Sequence, residues 1–194
     1  MPETRSRSKR LVPVLLALLF VGPFATAIYM YYYGGDGWRP EGSVAHGILI
    51  QNPASLDNDT VLLPNGKTVA FANKWSLLYV GDGHCDTACE QALYQLRQVR
   101  QALGRDMSRV QRYFITTSGT PDAEFIHGAH PDLIVIDGTV TEAGKVLAAL
   151  GSYGEADVFV VDPLGNVMMR FQPGTSMKDM YTDLSLLLKA STIG

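Results

Sequence analysis

Trp75-Ser-Leu-Leu-Tyr-Val-Gly-Asp-Gly-His-Cys-Asp-Thr-Ala-Cys89 is the stretch on which the reading of the whole chain turns. Leu77 to Val80 is an unbroken apolar run, the pattern of a strand covered on both faces. Gly81 and Gly83 permit a sharp turn after it. Asp86 or Thr87 can then cap a helix, and Ala88, Ala92, Leu93, Leu96, Val99 and Leu103 recur at helical spacing. The expected local structure is strand, glycine turn, and a helix opened by two cysteines. A thiol at that place lies near helix-end N–H groups and the positive end of the helix dipole. Both favour the thiolate, the form that attacks disulfides and binds metals.

Cys85 and Cys89 are the only cysteines in the 194 residues, and they are four apart. On a regular helix that spacing shares one face, with Cα atoms roughly 6 Å apart. A disulfide can bridge that distance. The pair can therefore close as a disulfide, offer two thiolates to one soft metal ion, or pack as two small hydrophobes. Spacing alone leaves all three open.

The length suits one domain with an appendage. Charge is unevenly placed. Arg5, Arg7, Lys9 and Arg10 lead the chain, whereas from Gly34 onward 12 lysines and arginines face 18 aspartates and glutamates, a net of −6. That balance argues against nucleic-acid binding. Leu11 to Tyr33 carries no charge. As a helix its 23 residues reach about 34 Å, enough to cross a bilayer. Pro13 and Pro23 are tolerable in a membrane helix, and Tyr29, Tyr31, Tyr32 and Tyr33 suit the far interface. The basic residues ahead of it predict a cytoplasmic amino terminus, which in a bacterium sends the remainder to the periplasm. A cleaved signal peptide is the competing reading, with Ala25-Thr-Ala27 imitating a cleavage site; the apolar run continues past it, which favours an anchor in the inner membrane. Either way the cysteines reach an oxidising compartment.

The expected organisation is a basic tail over 1–10, an anchor over 11–33, a tether and extended segment over 34–59, and a folded domain over 60–194. Residues 61–69 read as a β-hairpin turning at Asn65-Gly66. After the cysteine helix, Val110 to Thr117 is a second strand, 118–131 a loop with one helical turn, and Leu133 to Ile136 a third strand. A helix follows at 141–151. Val158 to Val161, the turn Asp162-Pro-Leu-Gly165 and Asn166 to Phe171 form an antiparallel hairpin. Met177 to Leu188 closes the chain as an amphipathic helix whose apolar face includes Met177, Met180, Tyr181, Leu184, Leu187 and Leu188.

This α/β order, with cysteines at the first strand-to-helix turn, resembles the thioredoxin fold. Three residues between the cysteines, an amino-terminal anchor and a periplasm-facing domain together resemble the Sco/SenC family. The matching pieces, over about 60 to 190, are Asn65-Gly66-Lys67, the Leu77–Val80 strand, Cys85-x-x-x-Cys89, Thr116–Asp122 and Val160-Val-Asp-Pro-x-Gly165. The resemblance implies an accessory protein for the copper A centre of cytochrome c oxidase, with the oxidase subunit or its assembly factors as partners. It implies that Cys85 and Cys89 bind copper(I), or reduce a partner disulfide with Cys85 attacking and Cys89 resolving. The family's histidine ligand lies just before the strand matching Val158–Val161, where this chain reads Gly154-Glu-Ala-Asp157. The cis-proline that thioredoxins hold there is missing too. A general thiol–disulfide oxidoreductase, a non-catalytic assembly scaffold and a permanent structural disulfide are the alternatives.

Four histidines compete for the vacant ligand role. His84 adjoins Cys85 and can lower its thiol pKa by charge or lend a metal nitrogen; an exposed turn histidine is the plain alternative. His127 and His130 can offer two nitrogens to one metal, but Gly128 and Pro131 suggest a solvated loop. His46 is expected to be solvated. Met168 and Met169 must face opposite sides of a strand, and Met177 and Met180 read as core. Asp82, Asp86 and Asp157 can flank the cysteines and oppose thiolate formation.

Overall fold

The computed structural model describes residues 7–33, 45–154 and 156–194. The first six residues of the expected tail, residues 34–44 of the expected tether and extended segment, and Glu155 lie outside the described residues. The chain divides into two compact units at Gly42/Ser43.

Within the first unit is one helix, α1 (Arg7–Tyr33). Its first turn includes Arg7, Lys9 and Arg10. From Val12 to Tyr33 it has a mean hydropathy of 2.1, long and apolar enough to cross a membrane. Both prolines lie inside it, and the Thr26 hydroxyl donates to the Gly22 carbonyl at 2.6 Å. Such side-chain bonds help to satisfy backbone near a proline.

The second unit is built on a six-stranded sheet in the order β1-β8-β7-β4-β5-β6. Its centre is β4 (Trp75–Gly81), every residue of which is buried. β5 (Val110–Thr116) and β6 (Leu133–Asp137) run parallel to β4 on one side. Parallel neighbours need crossovers, here α2 (Thr87–Ala102) with a 3-10 segment (Gly104–Arg109), and α3 (Ala123–Ala129). On the other side β7 (Val158–Val161), reached through α4 (Thr141–Leu150), pairs antiparallel with β4. β8 (Val167–Phe171) folds back on β7, and the two-residue β1 (Ile48–Leu49) edges β8. A separate hairpin of β2 (Thr60–Leu62) and β3 (Thr68–Ala70) turns at Asn65-Gly66, and α5 (Met177–Ala190) ends the chain.

Alternation along β4 sends side chains to opposite faces. Leu77 and Tyr79 join Phe114 beneath Leu93 and Leu96 of α2 and Leu184 of α5. Leu78 and Val80 join Ile115 beneath Val146 of α4, with Val61 and Phe71 from the hairpin region. Each such fully buried side chain contributes about 1.5–3 kcal/mol. The thioredoxin-like architecture read from the sequence is the one observed.

Several local expectations change. The loop over 118–131 holds a seven-residue helix, α3, capped by Asp122, whose carboxylate accepts from the Glu124 and Phe125 amides. On α5, Met177 and Tyr181 are about 40% exposed, while Asp183 is buried. Its carboxylate accepts from the His46 and Gly47 amides, at 2.8 and 2.9 Å, and bonds the His46 ring at 2.9 Å. His46 is thus not simply solvated; it fastens the segment ahead of β1 onto α5.

Candidate disulfide site

The carboxyl ends of β4 and β5 are bound together. The Thr117 amide donates to the Gly81 carbonyl at 2.9 Å, and the Gly83 amide to the Ser118 carbonyl at 2.7 Å. A Cβ at Gly83 would lie 2.7 Å from the Gly119 backbone, so the approach requires glycine. This contact fixes the turn that carries the cysteines.

Asp82 organises the turn. Its Oδ1 accepts from the His84 amide and faces His84 Nδ1, each at 2.8 Å, and its Oδ2 accepts from the Ser118 hydroxyl at 2.8 Å. The His84 amide, the ring and Ser118, in that order, hold the Asp82 carboxyl down at about 2. An ionised carboxylate only accepts, so His84 Nδ1 carries the proton and Nε2 is the nitrogen with a lone pair when the ring is neutral. The His84 side chain is 81% exposed, and its ring lies against Gly119, where a Cβ would come within 2.6 Å of it.

Cys85 precedes the helix instead of sitting on it. It has a left-handed backbone, φ +43°, and its amide donates to the Asp82 carbonyl at 3.2 Å. Such a conformation costs a non-glycine residue about 1 kcal/mol or more. Asp86 is the N-cap of α2, accepting from the Cys89 amide at 3.0 Å. Cys89 lies in the first turn, buried, whereas Cys85 is half-buried. The two are joined as a disulfide with Cα atoms 5.0 Å apart, closer than two positions on a regular helix face because the chain doubles back at Cys85. Ala88, expected in the core, is exposed and faces the groove beside the disulfide.

That groove encloses about 490 Å³. Tyr79, Asp82, His84 and Asp86 line it with the two cysteines, together with Ala156 and Pro173 from later in the chain. Ala156 has φ +66°, and its amide donates to the Val80 carbonyl at 3.0 Å. Every peptide bond among the described residues is trans. Of the three expected flanking acids, Asp82 and Asp86 line the groove, whereas Asp157 is buried, accepts from the Gly154 amide at 2.7 Å and lies 3.6 Å from the Arg170 guanidinium.

The other histidines lie elsewhere. His127 is exposed, but His130 is buried, packed edge-on to Phe125. Burial and the neighbouring Arg112 and Arg97 hold its pKa below the usual value. No cluster of three metal-binding side chains occurs among the described residues. Of the loop read as solvated, His127 is exposed as expected, whereas His130 is not. Ala156, Pro173 and Ser118 are not singled out by the sequence reading; Ser118 falls within Thr116–Asp122, and a Pro-Gly dipeptide such as Pro173-Gly174 is the unused signal that marks a turn.

The transmembrane-like, thioredoxin-like C-terminal domain model matches residues 75–191, more than half of the chain. The chain belongs to this family. No curated protein sequence matches it. This thioredoxin-like chain shares its fold with apo Sco1 from Thermus thermophilus, at TM-score 0.58 and 21% identity, over 77% of this chain and 99% of that one. It is also similar to yeast Sco1 with copper bound, at TM-score 0.57 and 19% identity, over 78% and 97% of the two chains. Arabidopsis thaliana ScoI with copper bound aligns at TM-score 0.56 and 18% identity, over 72% and 98%.

Proposed function

We propose that this is a membrane-anchored, Sco-like thiol–disulfide protein that reduces the cysteines of a partner's copper site during assembly of cytochrome c oxidase. The observation that carries the reading is the asymmetry of the pair: Cys85 half-buried at a groove and outside the helix, Cys89 buried in the first helical turn. In this reading α1 is a single-pass anchor in the bacterial inner membrane, and the cysteine domain lies in the periplasm.

The cycle starts from the reduced pair. The Cys85 thiolate attacks one sulfur of the partner disulfide and expels the other as thiolate, leaving a mixed disulfide. The Cys89 thiolate then attacks the Cys85 sulfur and releases the partner's first cysteine. The partner gains two electrons and, at neutral pH, the two protons the pair gives up; Cys85–Cys89 becomes the disulfide seen here, which an external dithiol must reduce again. The α2 dipole and the Cys89 amide region favour thiolate, while ionised Asp82 beside the turn opposes it. His84 is oriented through Nδ1 by Asp82, which leaves Nε2 as its proton acceptor, and it lines the same groove as Cys85.

Copper(I) carriage is the second reading, favoured by the same histidine. Two thiolates are soft donors that suit copper(I) as cargo, and His84, which lines the same groove, is a candidate for a third donor. Ala156, which lines the groove ahead of β7, has no donor side chain, so it cannot complete a Cys₂His set.

The test uses the full chain in detergent, reduced and mixed with the oxidised copper-binding domain of the oxidase. The wild type converts that domain to its dithiol form. Cys89→Ser accumulates a mixed disulfide through Cys85, and Cys85→Ser does neither. Failure of the wild type to reduce the domain would overturn the redox reading. Copper(I) binding lost in both single variants would then leave the carrier reading standing.

A further inference from the structure

The disulfide groove does not end at the cysteines. Ala88, Ala156 and Pro173 also border a second recess, of about 180 Å³, between α2 and the turn that joins β8 to α5. Its floor includes Ala92, Val158 and Met180, and its rim carries the carboxamides of Gln91, Gln95 and Gln172. Among the described residues, no lysine, arginine or carboxylate lines it. At the other end, beside Cys85, the lining groups that can carry charge are Asp82, Asp86 and His84. The trough is thus acidic at one end, holds the sulfurs in its middle part, and is apolar with neutral hydrogen-bonding edges at the other end.

Resting on the disulfide-exchange reading, we propose that this trough selects an extended cysteine-bearing polypeptide with a basic side chain on one side of its cysteine and an apolar side chain on the other. Charge complementarity chooses the basic side chain: Asp82 accepts hydrogen bonds through both carboxylate oxygens, Asp86 lies beside it, and among the described residues no lysine or arginine lines that end. The apolar recess chooses the second position, since a buried aliphatic group gains by leaving water. Carboxamides both donate and accept, so the three glutamines can pair with the main chain of an extended segment without demanding a particular side chain.

The probe is a set of four short peptides, each with one cysteine linked to thionitrobenzoate. Lysine or glutamate stands on one side of the cysteine, and leucine or serine on the other. Reduced full chain in detergent, as Cys89→Ser, attacks the peptide sulfur through the Cys85 thiolate. The leaving thionitrobenzoate is the coloured product, and one new disulfide replaces one broken. The lysine–leucine peptide reacts about tenfold faster than the glutamate–serine peptide at low salt. High salt narrows the lysine-to-glutamate ratio and leaves the leucine-to-serine ratio. Asp82→Asn/Asp86→Asn flattens the charge ratio, and asparagine keeps the helix cap. Met180→Ala flattens the leucine-to-serine ratio. Ratios between peptides cancel any change in the reactivity of the thiolate itself. Equal rates on all four peptides would overturn the selection proposal while leaving exchange intact. Release from none of them would overturn exchange at Cys85 itself, and selection with it.

Discussion

Asp183 shows how a single carboxylate can tie two distant segments together. It is 137 positions from His46, yet it accepts two amide bonds and pairs with the imidazole, while Asp179 lies 3.4 Å from the other ring nitrogen. The Asp183 hydrogen bond and both carboxylates raise the His46 pKa above its ordinary 6.5, against burial and Lys178. A raised pKa means that the folded state holds the proton more tightly. The stabilisation is complete below about 6.5 and is lost as pH rises through the higher folded value. His46→Gln should therefore lower Tm more at about pH 5.5 than at about pH 8.5, as read by thermal melts of both proteins. None of this was visible in sequence, because the partner lies at the far end of the chain and a histidine near an expected tether reads as solvated. Asp86 was legible, since a capping residue acts within its own turn. Cys85 was only half legible. Its four-residue spacing from Cys89 suggested one helix face, and spacing cannot reveal the left-handed backbone that takes Cys85 off the helix.

Among the elements, α2 carries the site and β4 with β5 supports it. The apolar runs and helical spacing exposed both, because their periodicities reflect burial on the sheet and against it. What they concealed is Arg112, fully buried in a strand read only for its β-branched and aromatic residues. Arg112 Nη2 lies 2.6 Å from Asp132 Oδ1, and Arg100 Nη1 lies 2.8 Å from Asp132 Oδ2. Arg112 Nη1 also donates to the Leu93 carbonyl in α2 at 3.3 Å. The cluster joins the last turn of α2 and β5 to the start of β6, toward the amino ends of the parallel strands. Asp132→Ala removes the carboxylate facing a fully buried guanidinium. It should destabilise the domain by about 3 kcal/mol, the lower end for a broken buried pair because Asp132 is itself a third exposed. Urea unfolding at neutral pH measures this, with an unchanged m-value if the native fold is retained.

At the scale of the whole molecule, the apolar helix and the folded domain were both legible, one from an uncharged run and the other from the order of strands and helices. The integration of residues 45–59 was less so: Ile50 donates to Met168, and Leu56 to Gly165, through single backbone bonds at 2.9 and 2.7 Å that a short polar sequence does not advertise. If α1 anchors the chain, the full-length protein stays with membranes after alkaline extraction, and a membrane-impermeant thiol reagent labels the reduced cysteines from the outer side of the inner membrane. Release into the alkaline supernatant would contradict the anchor.

The reversible redox role of Cys85–Cys89 is tested most directly by the equilibrium reduction potential of the full chain in detergent, titrated against defined thiol–disulfide buffers. A working exchange pair should lie between about −300 and −120 mV. A value below about −300 mV would mark a permanent structural disulfide and contradict the exchange mechanism.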